Sequence, residues 1–334
     1  VDYSQLVRTI LGPRAHAVVT GLILLYMFGT CCSYLHLLSD MIAPIVSPHK
    51  KHASVFSVLG DCHKSGDVQA SDLERILIMC GGAFLCAMLC LLRTVSALRY
   101  SALLAVLVTL FTVGMLVDTA AIVHKPPPGI TLWPASVMSL FRAVPVIAFA
   151  LQCHIQSVAV YYEMPKRVRN RPTTWIVAIS AIGLISVLYL PTGIAGLLAY
   201  GSGTCSDIMD DFDRSPLHNV ARACVAVTTV CVFPMNYFPA RSILYIWYRE
   251  CAGYCQRRRA PADTSTSQGA VALINSEDVA VGAAHLPSFT FIATLSFVWV
   301  GCILGLSIAL LHQPIDKFFG LIGALCGGNV RRRR

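Results

Sequence analysis

The sequence predicts an all-α integral membrane protein with several spans, and three observations carry that prediction. Of its 334 residues 56% are hydrophobic and only 13% are charged, against roughly a quarter charged in soluble domains. Mean hydropathy is +0.66. The apolar residues fall in long uninterrupted runs, as a helix crossing about 30 Å of hydrocarbon requires. The net charge of +9 is read as bilayer orientation rather than nucleic-acid binding, because basic residues gather in the loops between these runs.

Taken in order, the runs are Ala17–Ser39, Ile76–Leu92, Tyr100–Val123, Val137–Tyr162, Trp175–Tyr200, Ala221–Ala240 and Phe289–Leu311. The second is short and takes its missing length from Leu73 or Thr94. An eighth run, Phe318–Cys326, meets GGNVRRRR after nine residues. At about 1.5 Å of rise per residue it covers less than half of the hydrocarbon core, so it is expected not to span. The organisation that follows is a cytoplasmic N-terminal segment (1–16) and six spans (17–255). A cytoplasmic linker (256–287), a span with a truncated one (288–327) and a basic tail (328–334) complete it. Gly81-Gly82, Gly193 with Gly196, and Gly301 with Gly305 are expected to let neighbouring helices approach closely.

An N-terminus on the cytoplasmic side leaves most of the 26 Lys and Arg residues inside, among them Lys166, Arg167, Arg169, Arg171, Arg257, Arg258 and Arg259. The loop with Asp207, Asp210, Asp211 and Asp213 falls outside, and so do Lys50 and Lys51. Most of the 14 cysteines lie in apolar runs and behave as small hydrophobes. Cys62 and Cys205 are in polar loops on the same side, where a disulfide is conceivable. The spacing of His49, His52, Cys62 and His63 fits no standard metal site, and neither a metal nor another cofactor is expected. The chain contains no HExxH or GxSxG, and His154 has no carboxylate in its own run, which speaks against an enzyme.

The fourth run is the unusual one. Pro145 removes an amide donor and crowds the carbonyl of Phe141. Gln152, Cys153 and His154 then place polar side chains where lipid would exclude them. Non-helical backbone at that depth survives only inside protein or beside water. A broken helix also supplies free amides for a carboxylate and free carbonyls for an ammonium, which is what a zwitterion requires. Interhelical packing is the competing reading of the same residues.

The stretch Pro145-Val-Ile-Ala-Phe149-Ala150-Leu-Gln152-Cys153-His154, with Tyr161 and Glu163 after it, resembles the sixth segment of the amino acid/auxin permease family. The likeness is to its sodium-coupled neutral amino-acid transporter branch. Tyr26-x-Phe28-Gly29-Thr30-x-x-x-Tyr34 resembles the third segment and Gly196-Leu-Leu-Ala-Tyr200 the end of the seventh. Phe233-Pro234 with Phe238-Pro239-Ala240-Arg241 resembles the eighth. The resemblance implies a leucine-transporter-like inverted-repeat fold lacking the first two segments and the last part, which puts activity of this chain alone in doubt. It also implies secondary active transport of an amino-acid substrate by alternating access, in a plasma or vacuolar/lysosomal membrane. A transport-inactive sensor is the alternative. The substrate pathway would run past Phe149, Ala150, Gln152, Cys153, His154 and Thr30. The relatives carry a sodium-binding threonine in the eighth segment, where this chain has Val230 and Val232. The nearest hydroxyls are those of Thr228 and Thr229, and Thr229 shares a helix face with Val232. Proton coupling or exchange is therefore expected ahead of sodium coupling.

Overall fold

The computed structural model describes residues 7–10, 12–46, 72–92, 99–122, scattered positions between 144 and 161, and residues 164–201, 208–210, 215–259 and 288–311. Every regular element among them is helical. Six helices are long and apolar enough to cross a membrane, as the hydropathy requires of an integral membrane protein. We number them α1 (Pro13–Val46), α2 (Asp72–Cys90), α3 (Arg99–Ile122), α4 (Arg171–Tyr200), α5 (Pro216–Arg259) and α6 (Phe289–Ala309).

The ends of these helices follow local chemistry. A helical turn at residues 7–10 closes at Gly12, whose N–H donates to the Arg8 carbonyl (3.1 Å). Gly12 holds φ +86°, a conformation that disfavours residues with a Cβ. Pro13 then opens α1, where its missing amide hydrogen costs nothing. α2 starts earlier than its apolar run, at Asp72, because Asp72 and Glu74 suit the positive end of the helix dipole. Asn170 caps α4, its Oδ1 accepting from the Thr173 amide (2.9 Å), and Gly201 ends that helix at φ +67°. Ser215 and Ser288 cap α5 and α6 through bonds from the His218 and Phe291 amides.

Two boundaries differ from the sequence expectation. α1 continues seven residues past Ser39, to Val46, because the charge of Asp40 is neutralised inside the protein. α5 is 44 residues long and runs to Arg259, so the first residues assigned to the linker are helical. The charged end of α5 needs no apolar cover, and helix propensity alone carries it onward. Most of the fourth run, the eighth run, Cys62 and Cys205 lie outside the described residues. The described positions of the fourth run are helical apart from a turn at Leu151, whose amide bonds the Ile147 carbonyl (3.0 Å).

α1 packs most extensively on α5, and α2 and α6 complete a four-helix group around them. Its core joins Tyr26, Met27, Cys31 and Leu35 of α1 to Cys86 and Cys90 of α2, Phe233 and Tyr237 of α5, and Trp299 and Ile303 of α6. α3 and α4 pair with each other, and α3 leans on α5. A second cluster forms there, with Leu38 and Met41, Leu116, Ala195, Met209 and Ala226. The remaining faces of α3 and α4 present Leu, Ile and Val outward.

Of the small residues singled out, Gly82 and Gly196 sit at close approaches. A Cβ at Gly82 would meet the Leu38 side chain, and one at Gly196 would lie 2.6 Å from Ile208 Cδ1. Gly81, Gly193, Gly301 and Gly305 have open space around them among the described residues. Among the described residues the Gly301/Gly305 pair therefore makes no close helix approach.

Candidate functional site

The candidate site is a polar seam along the α1–α5 contact. Thr30 and Tyr34 are one turn apart on α1. Thr229 and Asn236 are two turns apart on α5, which puts them on one stripe. The two stripes meet where Asn236 Nδ2 donates to Tyr34 Oη (3.2 Å). Thr30, Thr229 and Asn236 are all buried.

Each threonine hydroxyl in this seam spends its hydrogen on its own helix. Thr30 Oγ1 donates to the Tyr26 carbonyl (2.9 Å) and Thr229 Oγ1 to the Val225 carbonyl (2.8 Å). Their remaining lone pairs are acceptors. Thr228 Oγ1 is buried with no hydrogen-bond partner among the described residues. Pro234 has no amide hydrogen to offer the Val230 carbonyl one turn back. These oxygens keep accepting lone pairs, although the Thr228 and Thr229 side chains, adjacent on the helix, point roughly 100° apart around it. Val232 is half-buried beside them and contributes no oxygen.

A second polar group fixes the neighbouring helices. Ser296 Oγ of α6 lies 3.0 Å from Tyr237 Oη and 3.4 Å from the Cys90 carbonyl. Arg241 donates to the Leu92 carbonyl (2.9 Å) just past the end of α2, over the rings of Phe238 and Tyr237. Its guanidinium satisfies a carbonyl that the end of a helix leaves open. Nearer the other end of α1, Asp40 pairs with Arg75 of α2 at 3.0 Å.

Of the residues expected on the substrate pathway, Thr30 is in the seam. Ala150 is exposed, and Phe149, Gln152, Cys153 and His154 lie outside the described residues. Thr229 and Val232 lie near the Asn236 stripe of α5, and Thr228 projects about 100° away from Thr229 around the same helix. Asn236 was missed in the sequence, although a lone amide two residues after a proline in an apolar run is the signal that finds it. The described cysteines are all free, and no group of three metal-ligating side chains occurs among the described residues.

Comparison with known proteins adds the following. Residues 1–328 match the family described as Transmembrane amino acid transporter protein. The chain is 26% identical to human Sodium-coupled neutral amino acid transporter 7 over 252 residues, covering 74% of this chain and 52% of that protein. It is 28% identical to the Xenopus laevis protein of the same name over 257 residues, covering 74% and 53%. With Vacuolar amino acid transporter 2 of Saccharomyces cerevisiae it shares 24% over 261 residues, covering 75% and 50%. The chain thus spans about half the length of these relatives. No solved structure matches.

Proposed function

This chain belongs to the transmembrane amino acid transporter family, and from that premise we propose that it serves secondary active transport of amino acids by alternating access. Coupling is to protons, or transport runs as exchange. The family and the relatives are transporters by name, not enzymes.

The observation that carries the reading is the polar seam buried between α1 and α5. An amino acid crossing the bilayer must exchange water for donors and acceptors inside the protein, since an unpaired buried charge is costly. Acceptors stand at Thr228, Thr229 and Val230. Gln152 and His154 of the fourth run belong to the same proposal and supply donors toward the substrate carboxylate. The inverted-repeat arrangement is part of this reading, with the fourth run as its broken helix.

One observation favours sodium as the coupling ion instead. Thr228, Thr229 and the Val230 carbonyl are oxygen donors, and three relatives of 25–28% identity carry "sodium-coupled" in their names. Val232 is the argument against it, because a hydrocarbon side chain removes an oxygen from the cage that dehydrated sodium needs.

The test is uptake of radiolabelled amino acids by the full-length protein in proteoliposomes, with sodium replaced by choline at fixed pH. Retained uptake that an inward proton gradient stimulates is the expected result. Loss of most uptake in choline overturns proton coupling in favour of sodium. Absence of uptake for every amino acid supports the sensor instead.

A further inference from the structure

The C-terminal half of α1 carries three polar residues on two successive turns under full cover. His36, Ser39 and Asp40 are 0%, 1% and 3% exposed. Asp40 has a clear partner, since Arg75 Nη2 donates to its Oδ1 at 3.0 Å. His36 does not: neither ring nitrogen has a hydrogen-bond partner among the described residues, and neither does Ser39 Oγ. Burying a polar group unpaired is destabilising, a cost that leucine or isoleucine at position 36 would avoid. A histidine kept there at that cost points to another state in which the ring is paired.

The neighbouring charges indicate what that state is. Asp40 lies four residues after His36, which on a helix brings the two side chains onto the same face, about 5–6 Å apart at Cβ. The carboxylate thus shares a helix face with the imidazole, while a guanidinium of another helix holds it. On α1 the remaining titratable neighbour is Cys32, one turn before His36. α2 brings Arg75, with Asp72 and Glu74 beside it in the first turn. α5 brings Arg222, which is engaged with the Met209 carbonyl and Asn219, and α3, packed on Leu38 and Met41 through Leu116, carries Asp118. α6 carries no Asp, Glu, Lys, Arg or His; it contributes Ser307, fully buried, with Oγ unpartnered among the described residues.

We propose that His36 is the proton-binding site that couples this transporter, with Asp40 and Arg75 as its charge partners. The inference rests on the transport reading above and names the group that reading leaves open. A proton from water adds to the lone pair of the unprotonated ring nitrogen. Both ring nitrogens then donate, and one of them bonds the Asp40 carboxylate. No other bond forms or breaks, and the same proton leaves to water on the opposite side. The group's formal charge rises from zero (Asp40 and Arg75 cancelling) to +1. Asp40 is then shared between an imidazolium of its own helix and the guanidinium of α2, which weakens the tie between α1 and α2. An excess charge is tolerated only where water reaches it. Protonated His36 therefore favours an arrangement in which the α1–α2 seam opens, and neutral His36 favours the closed one seen here. Differential affinity of two conformations for the proton is what coupling requires.

The experiment compares the wild-type full-length protein with His36→Gln, His154→Gln and Asp40→Asn. It reads amino-acid uptake against pH in proteoliposomes and histidine imidazole resonances in nanodiscs. One resonance, absent from His36→Gln, titrates over the range in which uptake responds to pH. His36→Gln reduces stimulation by an inward proton gradient at least ten-fold and flattens the pH profile. In Asp40→Asn the profile moves to lower pH, because the imidazolium loses its carboxylate; this variant carries the test if His36→Gln does not fold. A wild-type profile in His36→Gln, or a flattened one in His154→Gln alone, overturns the proposal and leaves amino-acid transport standing. Absence of all uptake by the wild type sinks the transport reading, and the coupling role of His36 with it.

Discussion

Asn236 is the residue on which the candidate seam turns, because it joins α5 to α1 through Tyr34. Replacing it with leucine leaves the Tyr34 hydroxyl without this donor, a cost of about 1–3 kcal/mol that the added apolar contact partly offsets. Thermal stability of the purified protein should therefore fall modestly. Uptake should fall at least ten-fold if the seam carries substrate, since a hydrocarbon then stands where an amide was. Normal uptake in Asn236→Leu would make the pair a packing contact. Thr30 and Thr229 give a weaker test, because their hydroxyl hydrogens already bond their own helices and only their lone pairs face the seam.

At the scale of elements, glycine spacing misled and glycine environment decides. Gly301 and Gly305 match the pattern of a close helix contact, yet a Cβ at either meets nothing within 4 Å among the described residues. Alanine there should be neutral or stabilising by up to about 1 kcal/mol, from helix propensity alone. At Gly82 the added methyl would run into Leu38, which is itself buried between α1 and α3. Overpacking of that kind costs about 1–3 kcal/mol and outweighs the propensity gain. Melting temperatures in detergent, followed by intrinsic fluorescence, should therefore fall for Gly82→Ala and hold or rise for Gly301→Ala. A Gly82→Ala protein as stable as wild type would mean that Leu38 moves aside without cost.

Across the whole molecule, α1, α2, α5 and α6 share a core while α3 and α4 keep broad apolar faces outward. Val187, near the middle of α4, is 66% exposed. An arginine at that depth costs about 2.5–3.5 kcal/mol on insertion scales. Val187→Arg should lower the membrane-inserted fraction measured by carbonate extraction and glycosylation mapping. Arg241→Lys is the useful contrast: it keeps a charge in the bundle and should leave insertion intact. Equal insertion of Val187→Arg and wild type would place that face of α4 against water.

Hydropathy and the spacing of basic residues were enough to establish an all-helical membrane protein and to locate the six described spans, although α1 and α5 run 7 and 19 residues past their expected ends. Each span must satisfy its own backbone inside lipid, so its length and apolar character are local properties that a sequence displays openly. The motifs around Thr30, Pro234 and Arg241 likewise pointed to the family. Which polar groups meet was not legible. Tyr34 and Asn236 are 202 residues apart in sequence, and Asp40 and Arg75 are joined across a long connection. The extension of α1 to Val46 depended on that pair, since Asp40 reads as a span end until Arg75 of another helix neutralises it. His36 is a single histidine in an apolar run until packing shows both its nitrogens buried. Pairings of this kind depend on how helices cross and rotate against one another, and that is set by the contacts of all six together.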